Sequence, residues 1–95
     1  MANEENLEIH AIVKGWVQGV GFRFFAERSA NQLGIKGWVR NLYNGDVEIL
    51  AQGSKDSLEK YISALQQGPR SARVKEVEVE WRNPTQKFEY FSITY

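Results

Sequence analysis

The sequence predicts an α+β sandwich of order βαββαβ, in which two helices cover one face of an antiparallel sheet with strand order 4-1-3-2. Three observations carry that prediction. Apolar residues alternate with polar ones in three separate segments, they recur at helical spacing in two others, and Asn44-Gly45 forms a strong short hairpin signal between two strand segments.

Taken in order, Leu7, Ile9, Ala11 and Val13 alternate with more polar neighbours, as a half-buried strand requires. A glycine-punctuated stretch then leads to Phe22, Phe25, Ala26, Ala30 and Leu33, one helical stripe that Gly34 stops. Ile35 to Leu42 is expected to form the second strand, and Val47, Ile49 and Ala51 alternate in the third, closed by Gly53. Ser54 suits an N-cap and Asp56 a first helical turn; Leu58, Tyr61, Ile62 and Leu65 make the apolar stripe of a second helix ended by Gly68-Pro69. Val77, Val79 and Trp81 mark a fourth strand, and Phe91, Ile93 and Tyr95 suggest a short fifth. Residues 1–6 read as a flexible polar tail and 7–95 as a single domain without repeats or linkers.

This topology bears on function. Right-handed crossovers make strands one and two parallel with strand three between them. Gly15 and Asn41 therefore emerge at the same end of the sheet, about 10 Å apart at the backbone. Such a gap suits a phosphoryl group and a water molecule.

Composition narrows the classes of partner. Among 95 residues, 12 basic side chains balance 12 acidic ones, which argues against nucleic acid as a partner. There is no cysteine, so disulfides, zinc–thiolate sites and thiol nucleophiles are excluded. No apolar run approaches the ~20 residues of a membrane span, and the acidic, polar start is unlike a signal peptide, so no membrane partner and a cytoplasmic location are expected. A monomer is expected too, because no heptad or large apolar patch is evident.

The stretch Gly15-Trp16-Val17-Gln18-Gly19-Val20-Gly21-Phe22-Arg23 is the most informative. A flexible loop that delivers its N–H groups to a helix N-terminus is an anion site. Arg23 sharpens it, since a cation in the first turn opposes the helix dipole by roughly 0.3–1 kcal/mol unless an anion lies between them. The stretch lacks the Gly-Lys-Ser/Thr ending of a P-loop, and Phe24 stands where a dinucleotide fingerprint needs its third glycine. The plainer alternative is a β–α turn whose glycines only relieve backbone strain.

Asn41 ends the second strand beside this cradle and offers both a donor and an acceptor, enough to orient a water; asparagine before a hairpin also caps turns. Arg40 should face the opposite side, solvated. His10 is expected to face solvent, Arg70 and Arg73 to form a basic surface loop, and Lys75, Glu76, Glu78 and Glu80 to be the wet face of a strand. Trp16, Trp38 and Trp81 lack the aromatic motif of sheet-face RNA readers.

Two segments resemble the signatures of the acylphosphatase family. Gly15-x-Val17-Gln18-Gly19-Val20-x-Phe22-Arg23 matches the first, and Gly37-Trp38-Val39-Arg40-Asn41, with Gly45, Val47 and Gly53, matches the second. The resemblance spans residues 7 to 95, terminal tyrosine included, and implies a ferredoxin-like fold and hydrolysis of acyl phosphates to a carboxylate and inorganic phosphate, the latter also an inhibitor. It implies that Arg23 and the backbone N–H groups of Gln18, Gly19, Val20, Gly21, Phe22 and Arg23 hold the phosphoryl oxygens and that Asn41 positions the attacking water. No metal, cofactor or phosphoenzyme is implied. The sparse site suits this substrate, because a carboxylate leaving group, with a conjugate-acid pKa of about 4, needs no protonation. The alternative function is a non-catalytic phosphate-binding regulatory module. No acyl pocket is legible, so broad specificity is expected.

Overall fold

The computed structural model describes residues 6–95, so the expected tail over residues 1–6 lies, apart from Asn6, outside the described residues. Its elements run β1 (Leu7–Trp16), α1 (Phe22–Gln32), β2 (Lys36–Asn41), β3 (Val47–Gly53), α2 (Lys55–Gln67), β4 (Arg73–Arg82) and β5 (Phe91–Ile93). The strands form one sheet in the order β4-β1-β3-β2-β5. The predicted 4-1-3-2 order holds, and the short fifth strand adds to it in parallel with β2. The sheet is therefore mixed rather than wholly antiparallel. Gly37 N–H donates to the carbonyl of Tyr90 at 3.1 Å and Thr94 N–H to that of Val39 at 2.8 Å, so backbone bonds fasten this edge.

Register separates a dry face from a polar one. Ile9 pairs with Ala51, Ala11 with Ile49 and Val13 with Val47, and all six are fully buried beneath the helices. Phe22, Ala26 and Ala30 from α1 and Leu58, Tyr61 and Leu65 from α2 complete this core with Val39 and Phe91. Tyr61 satisfies its buried hydroxyl by donating to the Ala26 carbonyl at 2.9 Å, which ties the two helices together; burial pushes its phenol pKa up.

The intervening residues line the open face. Glu8, only 2 % exposed, accepts from Arg82 Nε at 2.7 Å and from Gln52 Nε2 at 2.9 Å. His10 is half-buried rather than solvated, with Nε2 2.7 Å from Glu48 Oε2. Arg40 does lie on this face, but in an ion pair with Glu48 at 2.6 Å and over the Trp38 ring. Trp38 and Trp81 sit on β2 and β4, with β3 and β1 between, and so form no common platform.

Two strands extend beyond their expected limits, while β2 and β5 are shorter than expected. β1 continues past Val13 to Trp16 through an irregularity between Lys14 and Gly15. Gly15 is thus part of the sheet: at φ 131° its Cα packs so closely on the β4 backbone at Arg73 that a side chain would collide with it. β4 in turn begins at Arg73, which places that residue in a strand rather than in the loop of Arg70. Among the described residues no helix is long and apolar enough to cross a membrane.

Candidate active site

Loop 17–21, the start of α1, the end of β2 and the segment after β5 converge on one cavity. It has a volume of about 260 Å³ and is lined by Gly19, Gly21, Arg23, Asn41, Ile93 and Tyr95 among others. Strand order explains the convergence, because β1 and β2 run the same way on either side of β3. Gly15 and Asn41 end up at one end of the sheet, as the topology predicts.

The loop reaches the helix through residues that only glycine tolerates well. Gly19 and Gly21 adopt φ 74° and 76°, the left-handed region, and Gly21 is the N-cap of α1. It offers no side-chain cap, and the first turn holds no acidic residue. The first bond of the helix runs from Phe25 N–H to the Gly21 carbonyl at 3.0 Å. The N–H groups of Phe22, Arg23 and Phe24 therefore leave the helix end without a partner inside it. Dipole and donors together make this end electropositive. Arg23, in the same turn, forms no ion pair among the described residues; its guanidinium carbon lies 4.9 Å from the centroid of the Tyr95 ring.

Asn41 is the last residue of β2, and its register opposite Val47 puts it on the helix-covered face, while Arg40 before it sits opposite Glu48 on the other. Its Oδ1 is buried with no hydrogen-bond partner among the described residues. A buried acceptor left unpaired costs about 1–3 kcal/mol, so such an atom calls for an explanation. A second cleft opens beside the first, sharing Arg23, Asn41 and Tyr95 and adding Gln18, Arg40, Leu42 and Tyr43, with a volume of about 750 Å³. Sequence reasoning found no such cleft, because it is assembled from segments too far apart in sequence to read together.

Two features escaped sequence reasoning. Tyr95 lies beyond β5 rather than within it, and its ring meets Arg23. Gln18, expected to contribute only its backbone, also donates from its side-chain amide to the carbonyls of Leu42 and Asp46 at 2.7 and 2.8 Å. Of the remaining candidates, His10 belongs to the open face and Arg70 and Arg73 to the surface before and at the start of β4, whereas Arg40, rooted on the open face, also borders the larger cleft. Among the described residues no group of three or more His, Asp or Glu side chains is arranged so that it could hold a metal ion.

Comparison with known proteins agrees with this geometry. The sequence profile of the acylphosphatase family matches residues 9–93. An acylphosphatase of Thermus thermophilus is 54% identical over 71 residues, covering 75% of this chain and 81% of its own. One from Salinibacter ruber is 46% identical over 85 residues, 90% of each chain. The crystal structure of acylphosphatase from Bacillus subtilis superposes with a TM-score of 0.91 at 37% identity, covering 94% of this chain and 99% of that one. With profile, relatives and fold in accord, the chain belongs to the acylphosphatase family, hydrolases that cleave the carboxyl–phosphate anhydride.

Proposed function

We propose that Arg23 and the N–H groups from Gln18 to Arg23 grip the phosphoryl oxygens of an acyl phosphate while Asn41 holds the attacking water. The observation that carries this assignment is Asn41 Oδ1, a buried acceptor without a hydrogen-bond partner among the described residues, in the wall of the cavity that Arg23 and the open end of α1 also line. A water donating to it satisfies the orphan acceptor and is turned with its lone pair towards the phosphorus.

The water oxygen then bonds to phosphorus as the bond from phosphorus to the acyl oxygen breaks. The carboxylate departs with that electron pair, unprotonated, and both water protons stay with the product as H2PO4⁻. Charge gathers on the equatorial phosphoryl oxygens, where the guanidinium and the oriented N–H groups face it. The larger cleft, with Leu42, Tyr43 and Tyr95 in its wall, gives the acyl group room to lie outside the phosphate cradle. On the sequence grounds given above, we take the chain to act as a cytoplasmic monomer without a metal.

Benzoyl phosphate hydrolysis followed by ultraviolet absorbance, with excess EDTA, tests this for the wild type beside Arg23→Ala and Asn41→Ala. Metal-independent turnover that both folded variants lose is the expected result. Turnover abolished by EDTA, or retained in either variant, contradicts the assignment.

A further inference from the structure

Gln18 holds the two halves of the site in register. The attacking water and the phosphoryl group are carried by different parts of the chain, Asn41 at the end of β2 and the loop before α1. The only side-chain hydrogen bonds among the described residues that cross between these parts come from Gln18. Its Nε2 donates to the Leu42 carbonyl at 2.7 Å and to the Asp46 carbonyl at 2.8 Å, so both amide hydrogens are used. Those two carbonyls frame the mouth of the hairpin: Leu42 N–H donates to Asp46 at 2.9 Å, and Gly45 N–H to Leu42 at 3.2 Å. Leu42 follows Asn41 directly, so the Gln18 amide holds the Leu42–Tyr43 peptide, one residue beyond the Cα from which Asn41 projects. Gln18 itself lies at the start of the cradle, one residue before the left-handed Gly19.

The cradle has a second tie, and it runs elsewhere. Ser71 Oγ donates to the Val20 carbonyl at 2.9 Å, fastening the loop to the segment between α2 and β4 and away from Asn41. The two ties divide the work: Ser71 supports the shape of the loop, and Gln18 sets the loop against the strand that carries the water. We propose that Gln18 is a positioning residue for hydrolysis, acting through Asn41 by fixing the separation between the bound phosphoryl group and the water. This rests on the water-holding role of Asn41 proposed above. Its consequence is specific, because phosphate binding uses one half of the site and hydrolysis uses both.

A double-mutant cycle tests it, with benzoyl phosphate as substrate and inorganic phosphate as competitive inhibitor. Gln18→Met, which keeps length and volume without the donors, and Gln18→Ala are each made in the wild type and in Asn41→Ala, with thermal unfolding of every variant. A misplacement on the ångström scale lowers kcat by about tenfold to a hundredfold, and the phosphate inhibition constant stays within about twofold. In the Asn41→Ala background the same change lowers kcat by less than about twofold, because the group it positions is gone. Ser71→Ala is the control, its effect multiplying with that of Asn41→Ala. Equal cost of the Gln18 change in both backgrounds, or weakened phosphate inhibition with kcat retained, overturns the inference while leaving Asn41 its role. Full kcat in Asn41→Ala alone overturns the water-holding role and this inference with it.

Discussion

Helix α2 closes its own N-terminus, whereas helix α1 leaves its end open. At α2 the Ser54 hydroxyl accepts the Ser57 N–H at 3.1 Å, and Asp56 places a negative charge in the first turn. Lys60 then pairs with that aspartate one turn on, at 3.3 Å. At α1 the cap is Gly21, with no side chain to accept anything, and the charge in the first turn is the positive Arg23. Both helices pack on the same sheet face, so packing does not account for the difference. The α2 end satisfies a donor from within; the α1 end leaves its donors and its positive charge available, as the proposed phosphate cradle requires.

The largest expected effect comes from removing the charge at the open end. Arg23→Ala should lower kcat/KM by about a thousandfold, the scale of losing a charge that faces the developing phosphoryl anion. It should also abolish thermal protection by phosphate, which at a hundred times Kd amounts to about 2.7 kcal/mol in the wild type. Retained protection in the folded variant would remove Arg23 from the cradle. Asn41→Ala should lower kcat by about a hundredfold, with phosphate protection within about 0.5 kcal/mol of wild type. Weakened protection at undiminished kcat would make Asn41 a phosphate ligand instead.

The closed end should respond in stability alone. Ser54→Ala should cost about 1 kcal/mol in urea denaturation and leave kcat unchanged, because its hydroxyl serves only the α2 backbone. A fall in kcat at full occupancy of the folded state would show the two ends to be coupled.

Smaller still is an effect from the open sheet face, remote from both ends. Burial raises the carboxyl pKa of Glu48, but the bonds to His10 and Arg40 outweigh it and hold the value below the ordinary 4.5. The fold thus favours the charged form. Its contribution is present above the unfolded value and is lost as pH falls through the folded one. Urea midpoints between about pH 6 and pH 3 should decline less in Glu48→Gln than in the wild type; parallel declines would place the acid-sensitive group elsewhere.

The open end was legible in the sequence because it is local. Residues 15–23 follow one another, and three glycines with an arginine in the first turn of an apolar helical stripe are readable without tertiary knowledge. Asn41 needed the topology as well, which alternation and the Asn44-Gly45 turn supplied. What stayed hidden depends on contacts between distant positions. The Gln18 amide meets carbonyls 24 and 28 residues away, and glutamine in a loop carries no pattern that says so. His10 reads as a solvated strand residue until β3 brings Glu48 beside it. Gly15 reads as a turn for the same reason: its close approach to β4 belongs to a strand more than fifty residues on. Tyr95 could be placed near the fifth strand, but the Arg23 guanidinium beside its ring became visible only in three dimensions.

The most direct test of the contrast between the two helix ends is a phosphate titration followed by two-dimensional NMR of backbone N–H groups. Saturable shifts should concentrate at Gln18 to Phe24, and the amides of Lys55, Asp56 and Ser57 should stay in place. Shifts at 55–57, or none at 18–24 in a protein that phosphate inhibits, would contradict an anion cradle at the start of α1.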